Sequence, residues 1–179
     1  TARMSYLSPN DSISRLGSIG IAIPGGEFSL VDDQGNVVNQ SNETGELVYK
    51  GKNVSMGYAS GAQDLIKGDE NYGILMTGDL ALRDDDGFYY IIGRKSRFIK
   101  IYGNRVNLDE AEQLIKNITG DVACVGSDEK MIIYITDESL VSEVRSFIAT
   151  KTGINFRAFE VRVIANIPKS SSGKLIYRD

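Results

Sequence analysis

From Gly17 to Ile101 no apolar run grows long: Phe28 to Val31 gives way to Asp32-Asp-Gln-Gly35, Leu47 to Tyr49 is followed by Gly51, and Phe88 to Ile92 by Gly93. Short apolar runs closed by turn-forming residues are the pattern of strands joined by hairpins. After Arg105 the period changes. Leu108, Ala111, Leu114, Ile115 and Ile118 recur at helical spacing behind Asn107, with Glu110 as a capping-box partner. Val122 to Val125 and Met131 to Ile135 read as strands. Leu140, Val141, Val144, Phe147 and Ile148 line one face of a second helix that stops at Gly153, and Val161 to Ile164 reads as a last strand. The order predicts an α+β chain, β-barrel-like and strand-rich first, small and mixed α+β second, with the seam between Gly93 and Ser96.

Composition narrows the chemistry. The 179 residues are 41% apolar and 25% charged, ordinary for a soluble domain with a core, and no internal repeat is visible. Histidine is absent, which removes Ser-His-Asp and Cys-His catalysis and histidine metal sites. Cys124 is the single cysteine and sits in an apolar run, so neither a disulfide framework nor a CxxC pair exists, and a reducing, cytoplasmic setting is expected. No stretch approaches the ~20 apolar residues of a membrane span. Thr1 rather than Met opens the chain, as expected of a fragment. Residues 1 to 93 carry 6 Lys and Arg against 13 Asp and Glu, and residues 94 to 179 carry 14 against 11, a split of −7 and +3 within the overall −4. The second half is the better partner for phosphates.

Three local features could carry function. Pro168-Lys-Ser-Ser-Ser-Gly-Lys174 has a stiff start and small residues that deliver one lysine on a mobile segment. It is not a phosphate-cradling P-loop, because Pro168 stands where the first glycine is required. Thr77-Gly-Asp79 precedes Gly93-Arg94 with a hairpin readable between them, so that Asp79 can accept vicinal hydroxyls and Arg94 can donate to sugar or phosphate. Lys95, Arg97, Lys100 and Arg105 alternate with Phe98, Ile99, Ile101 and Tyr102, the pattern of a half-buried hairpin with its basic side in water. A nucleic-acid face is the other reading of that stretch, and the overall charge of −4 argues against it. Asp84-Asp-Asp-Gly87 lacks the spaced ligands of a calcium loop and reads as a turn.

Taken in order, these pieces resemble the adenylate-forming superfamily of acyl-CoA synthetases, nonribosomal peptide adenylation domains and luciferases. Gly45-Glu-Leu-Val-Tyr-Lys-Gly51 with Gly57-Tyr58 is similar to its GELxxxGxxxxxGY segment, and Thr77-Gly-Asp-Leu80 to its TGDL segment. Gly93-Arg94, Lys100, Gly103, Arg105 and Glu110 match its GRxxxxxKxxGxRxxxxE segment, and Pro168 to Lys174 its PKxxSGK ending.

The resemblance implies that residues 1–93 are the end of a large N-terminal domain, chiefly its β-barrel subdomain, and that residues 94–179 are a mobile C-terminal domain. It places the phosphate loop, most of the acyl pocket and the Mg-coordinating Glu in a missing N-terminal domain of the same protein; no metal ligand is expected in this chain. The implied whole enzyme converts a carboxylic acid and ATP to acyl-AMP and pyrophosphate, then passes the acyl group to the thiol of coenzyme A or a carrier phosphopantetheine. Asp79 would bind the ribose hydroxyls, Arg94 would assist there, and Lys174 would be the catalytic residue at the carboxylate and α-phosphate. Lys100 and Gly103 would face the thiol in the second step. Ser96 stands at the hinge position, where the family usually has Asp or Lys. Ser172 before Gly173, where peptide synthetases favour Asn, leans toward the CoA-synthetase kind. The fragment alone is expected to be inactive. The competing expectation is a stand-alone, non-catalytic binding or interaction module that keeps the fold.

Overall fold

A computed structural model of the chain describes residues 1–177. It divides into two compact units, Thr1–Lys95 and a second that starts at Ser96.

The first unit is one antiparallel sheet. Its strands are β1 (Ser5–Tyr6), β2 (Ser18–Ala22), β3 (Gly26–Val31), β4 (Thr44–Gly51), β5 (Ile74–Arg83) and β6 (Tyr89–Arg94), in the order β1-β2-β6-β5-β4-β3. Register shifts interrupt β2–β6, β4–β5 and β5–β6. Such bulges bend strands and increase twist, which lets the sheet curl as a half-barrel whose edge strands β1 and β3 stay unpaired to each other. Phe28, Leu30, Leu47, Tyr49, Ala81 and Tyr89 fill the concave core, with Phe28 between the Tyr49 and Tyr89 rings at centroid distances of 5.4 and 5.2 Å. The Asp84–Gly87 segment is the β5–β6 turn: Asp84 Oδ1 accepts the N–H of Asp86 and of Phe88, and Gly87 takes φ +87°.

The second unit has a hairpin of β7 (Phe98–Ile101) and β8 (Asn104–Asn107), helix α1 (Leu108–Ile115), strands β9 (Val122–Ser127) and β10 (Lys130–Ile135), helix α2 (Val141–Thr152) and strand β11 (Phe159–Val163). The three-stranded sheet runs β11-β10-β9, with β9 antiparallel and β11 parallel to β10. A parallel neighbour needs a long crossover, and α2 supplies it. Met131, Ile133 and Ile135 alternate into the core and meet Leu108, Ala111 and Ile115 of α1 and Val144 and Ile148 of α2.

Both helices start or stop where their local chemistry dictates. Asn107 accepts the N–H of Asp109 and Glu110 and so caps α1. The reciprocal bond from Glu110 expected of a capping box is not present among the described hydrogen bonds. The helix closes at Ile115, earlier than the Ile118 periodicity suggests, because the Asn117 side chain donates to the Leu114 carbonyl at 3.2 Å. Ile118 still packs on the core from outside the helix. α2 ends at Gly153 in the left-handed region, φ +68°, where glycine carries no side-chain penalty. Among the described residues no helix is long and apolar enough to cross a membrane.

Candidate functional site

In the first unit, the β5–β6 register sets Asp79 directly opposite Arg94. β5 is irregular there. Thr77 Oγ1 donates to the Leu47 carbonyl at 2.8 Å and accepts the Asp79 N–H at 3.1 Å, while Gly78 adopts φ +72° and sends its N–H to Glu46 Oε1 at 3.3 Å. A side chain at Gly78 would strain that turn of the backbone. Arg94 Nε meets Asp79 Oδ1 at 3.0 Å and its Nη1 donates to the Thr77 carbonyl at 3.2 Å. The pair is open to solvent, with side-chain exposures of 26% for Asp79 and 62% for Arg94. Among the described residues nothing donates to Asp79 Oδ2. An exposed pair of this kind is worth only ~0–1 kcal/mol, so a ligand's hydroxyls can compete for the carboxylate at little cost.

Behind this pair lies one the sequence reading missed. Glu46 is nearly buried in β4 and accepts from Lys95 Nζ at 2.8 Å, with Asp33 3.6 Å from the same ammonium. The hydrogen bond it donates to Glu46 holds the Lys95 ammonium above its ordinary value. The available signal was an acid between Gly45 and Leu47 in a strand whose other central positions are apolar.

The remaining predicted residues belong to the second unit. Lys100 and Gly103 share the β7–β8 hairpin, which turns through Tyr102 at φ +49° and Gly103 at φ +81°. Positive φ at both central positions is the type I′ pattern that suits hairpin twist. Lys100 is exposed, its N–H donates to Asp128 Oδ1 at 2.9 Å, and no side chain lies within 4 Å of where a Cβ on Gly103 would stand. Ser96, also exposed, lies in a short 3-10 turn, Lys95–Arg97.

Lys174 is exposed on a closed loop. The Ser170 N–H donates to the Lys174 carbonyl at 2.8 Å, the Lys174 N–H to Ser170 Oγ at 3.1 Å, and the Ile176 N–H to the Pro168 carbonyl at 3.0 Å. Gly173 holds φ +80° in the turn. No hydrogen bond or ion pair among the described residues joins this loop to Lys100.

Arg97 departs from its expected place. It does not line the watery side of the basic hairpin: its side chain is 12% exposed and its guanidinium points among Asp109 (2.6 Å), Glu112 (2.7 Å) and the Cys124 carbonyl (2.8 Å). Lys100 and Arg105, paired across the hairpin, do remain exposed. Glu112 in turn accepts the Cys124 N–H at 2.7 Å. Cys124 lies on the edge strand β9, so Arg97 and Glu112 together satisfy the carbonyl and the N–H that this edge turns away from β10. Tyr177 completes the cluster, its ring 3.9 Å from the Arg97 guanidinium and its hydroxyl 2.9 Å from both Glu112 oxygens. Burial, then the hydrogen bond to Glu112, pushes the Tyr177 phenol up. Burial likewise pushes the Cys124 thiol up, which leaves it a protonated core side chain rather than a nucleophile. The signal for Glu112 was an acid on the apolar face of α1, between Leu108, Ala111 and Ile115.

No protein-family model matches the chain. It is 33% identical to a long-chain-fatty-acid–CoA ligase of Salmonella typhimurium over 99% of its own length and 33% of that enzyme's. It is 32% identical to 4-coumarate–CoA ligase-like 8 of Arabidopsis thaliana over 92% of its length and 32% of that protein's. The chain therefore spans about a third of the relatives it matches. Among solved structures, O-succinylbenzoate coenzyme A synthetase from Bacillus subtilis with AMP superposes with a TM-score of 0.68 at 24% identity, covering 97% of this chain and 37% of that one. A fatty acyl-adenylate ligase from a study of the Escherichia coli and Legionella pneumophila enzymes gives 0.67 at 26% identity, over 88% of this chain and 30% of that one.

Proposed function

We propose, on the premise that the chain belongs to the adenylate-forming superfamily and corresponds to its C-terminal part, that the whole protein is an AMP-forming acid–thiol ligase. It would join a carboxylic acid to ATP, release pyrophosphate, and pass the acyl group from acyl-AMP to coenzyme A or a carrier phosphopantetheine. The observation that carries the reading is Asp79 facing Arg94 on adjacent strands, with an unengaged carboxylate oxygen, in a chain whose relatives are CoA ligases. Residues 1–93 would close the large domain and residues 94–179 form the small mobile one.

In this reading Asp79 accepts the ribose hydroxyls and Arg94 donates beside it. Both are hydrogen-bonding roles that an exposed, weakly bound ion pair can take up without rearranging its strands. Lys174 supplies a positive charge to the carboxylate and α-phosphate as charge builds on phosphorus. Lys100 and Gly103 would serve the thiol step, an exposed cation beside a position with open space above its backbone. Ser96 would be the hinge. A magnesium ion accompanies ATP in one structural neighbour. By the resemblance its ligands would come from the N-terminal domain, and no step runs through it here.

The test separates the two half-reactions in the full-length protein. Lys174→Ala should abolish acid-dependent ATP–pyrophosphate exchange yet spare thioester formation from supplied acyl-AMP. Equal loss in both steps refutes the division of labour, and no exchange with any acid in the unmodified protein favours a non-catalytic module.

A further inference from the structure

Lys174 is the proposed catalytic group, yet no hydrogen bond or ion pair to its ammonium is made among the described residues; what is fixed is the loop that carries it. That loop is rooted at two ends. At its start Lys169 pairs with Asp121 at 2.7 Å, both side chains 40% or more exposed. At its end Tyr177 lies on the Arg97 guanidinium and donates to both oxygens of Glu112, a carboxylate only 5% exposed. The second root is the stronger, because a hydrogen bond to a buried charge outweighs an ion pair in water. Without the hydroxyl, Glu112 Oε2 would lack a hydrogen-bond donor among the described residues, while Oε1 would keep Arg97 and the Cys124 N–H. Only Leu175 and Ile176 separate Lys174 from Tyr177, so a docked Tyr177 keeps the Lys174 Cα within ~10 Å of a fixed point. Around the two roots, Ile167, Pro168, Ile176 and Tyr177 share one groove with Ala123, Val125 and Tyr134, on the sheet face away from Met131, Ile133 and Ile135.

We propose that Tyr177 is a positioning residue for Lys174: docked on the Arg97–Glu112 pair, it makes the lysine loop one rigid body with the segment that follows Ser96. The proposal rests on the role given to Lys174 above. Arg97 stands one residue beyond Ser96, so the group that anchors the end of the loop is also the first anchored side chain after the hinge position. Any reorientation about Ser96 would then carry Lys174 with it rather than leave it to a free tail.

The experiment uses the full-length protein with Tyr177→Ala, Tyr177→Phe and Lys169→Ala. Hydrogen exchange at the amides of Lys174 and Ile176 should rise about tenfold to a hundredfold in Tyr177→Ala, less in Tyr177→Phe, which keeps the ring over Arg97, and little in Lys169→Ala. Unchanged exchange in Tyr177→Ala overturns the docking. The rate of acyl-AMP formation should fall with the loosening, with substrate KM and thioester formation from supplied acyl-AMP retained, and Tyr177→Phe should recover part of it. If Lys174→Ala stops adenylation while Tyr177→Ala frees the loop without slowing it, the positioning role is wrong although the enzyme reading stands. If Lys174→Ala has no effect, the enzyme reading fails, and the exchange measurement still judges the docking. Should Tyr177→Ala loosen the entire second unit, Tyr177→Phe decides by the same two readouts.

Discussion

Arg97 and Lys169 are both cations paired with carboxylates in the second unit, and their surroundings separate them. The Arg97 side chain is 12% exposed and its partner Glu112 5%, and each also bonds the backbone of Cys124. Removing one member of such a pair strands the other in a poorly hydrated site, at a cost of about 3 kcal/mol or more. Arg97→Met, which keeps much of the volume, is therefore expected to lower unfolding free energy by about 3 kcal/mol in a denaturant titration, against less than about 1 kcal/mol for Lys169→Ala. Equal small effects would mean that water reaches Glu112 freely. Asp79 lies between these cases, paired and 26% exposed. Asp79→Asn in the full-length protein should leave stability within about 0.5 kcal/mol and raise the KM for ATP, because the amide accepts one hydroxyl where the carboxylate accepts two. An unchanged KM would remove Asp79 from the ribose site.

At the scale of elements, β10 and β11 are clasped on their solvent side by Glu160, which pairs with Arg162 at 2.5 Å and with Lys130 across the strands. Its hydrogen bonds to Arg162 and then Lys130 draw its carboxyl from an ordinary 4.5 down to about 2. A folded-state value below the ordinary one stabilises the fold fully above pH 4.5, and that contribution is lost as pH falls from there toward 2. Following the Glu160 side-chain carboxyl by NMR should give a midpoint near the lower figure, and a midpoint near 4.5 would show the clasp to be open in solution. How much of such structure can be read from sequence depends on the distance over which it is encoded. The short apolar run Met131-Ile132-Ile133-Tyr134-Ile135 and the helical spacing from Leu108 to Ile115 are local, and a strand and a helix form there. The turn at Asp84–Gly87 and the stop at Gly153 are equally local, set by backbone conformations that few residues tolerate. Facing of Asp79 and Arg94 needed only a hairpin between them, so it too was within reach. The inward Arg97 was not. Its partners Asp109, Glu112, Cys124 and Tyr177 are brought together by tertiary packing, and an alternating basic strand reads the same whether one of its cations faces water or a buried carboxylate.

On the scale of the whole molecule, each unit holds its own apolar cluster, Phe28 to Tyr89 in the first and Ile99 to Val161 in the second, so neither lacks the means to fold. The first nevertheless leaves Leu65, Ile66, Tyr58, Met56, Ile74 and Met76 exposed, more large apolar surface than a solvent-facing sheet and its loops require. The chain spans about a third of the CoA-ligase relatives it matches. Catalysis makes a sharper demand. Transfer to the α-phosphate requires the triphosphate to be held and its charge offset while pyrophosphate departs. The groups proposed to meet ATP, namely Asp79, Arg94 and Lys174, would act at the ribose and the α-phosphate, and the proposal gives none of them the outgoing phosphates. The isolated 179-residue chain is therefore expected to fold, as judged by circular dichroism, and to show no acid-dependent ATP–pyrophosphate exchange above its own Lys174→Ala variant. Exchange above that control would mean that the chain contains a triphosphate anchor of its own. The first place to look would then be the basic hairpin, where Lys100 and Arg105 stand paired and exposed.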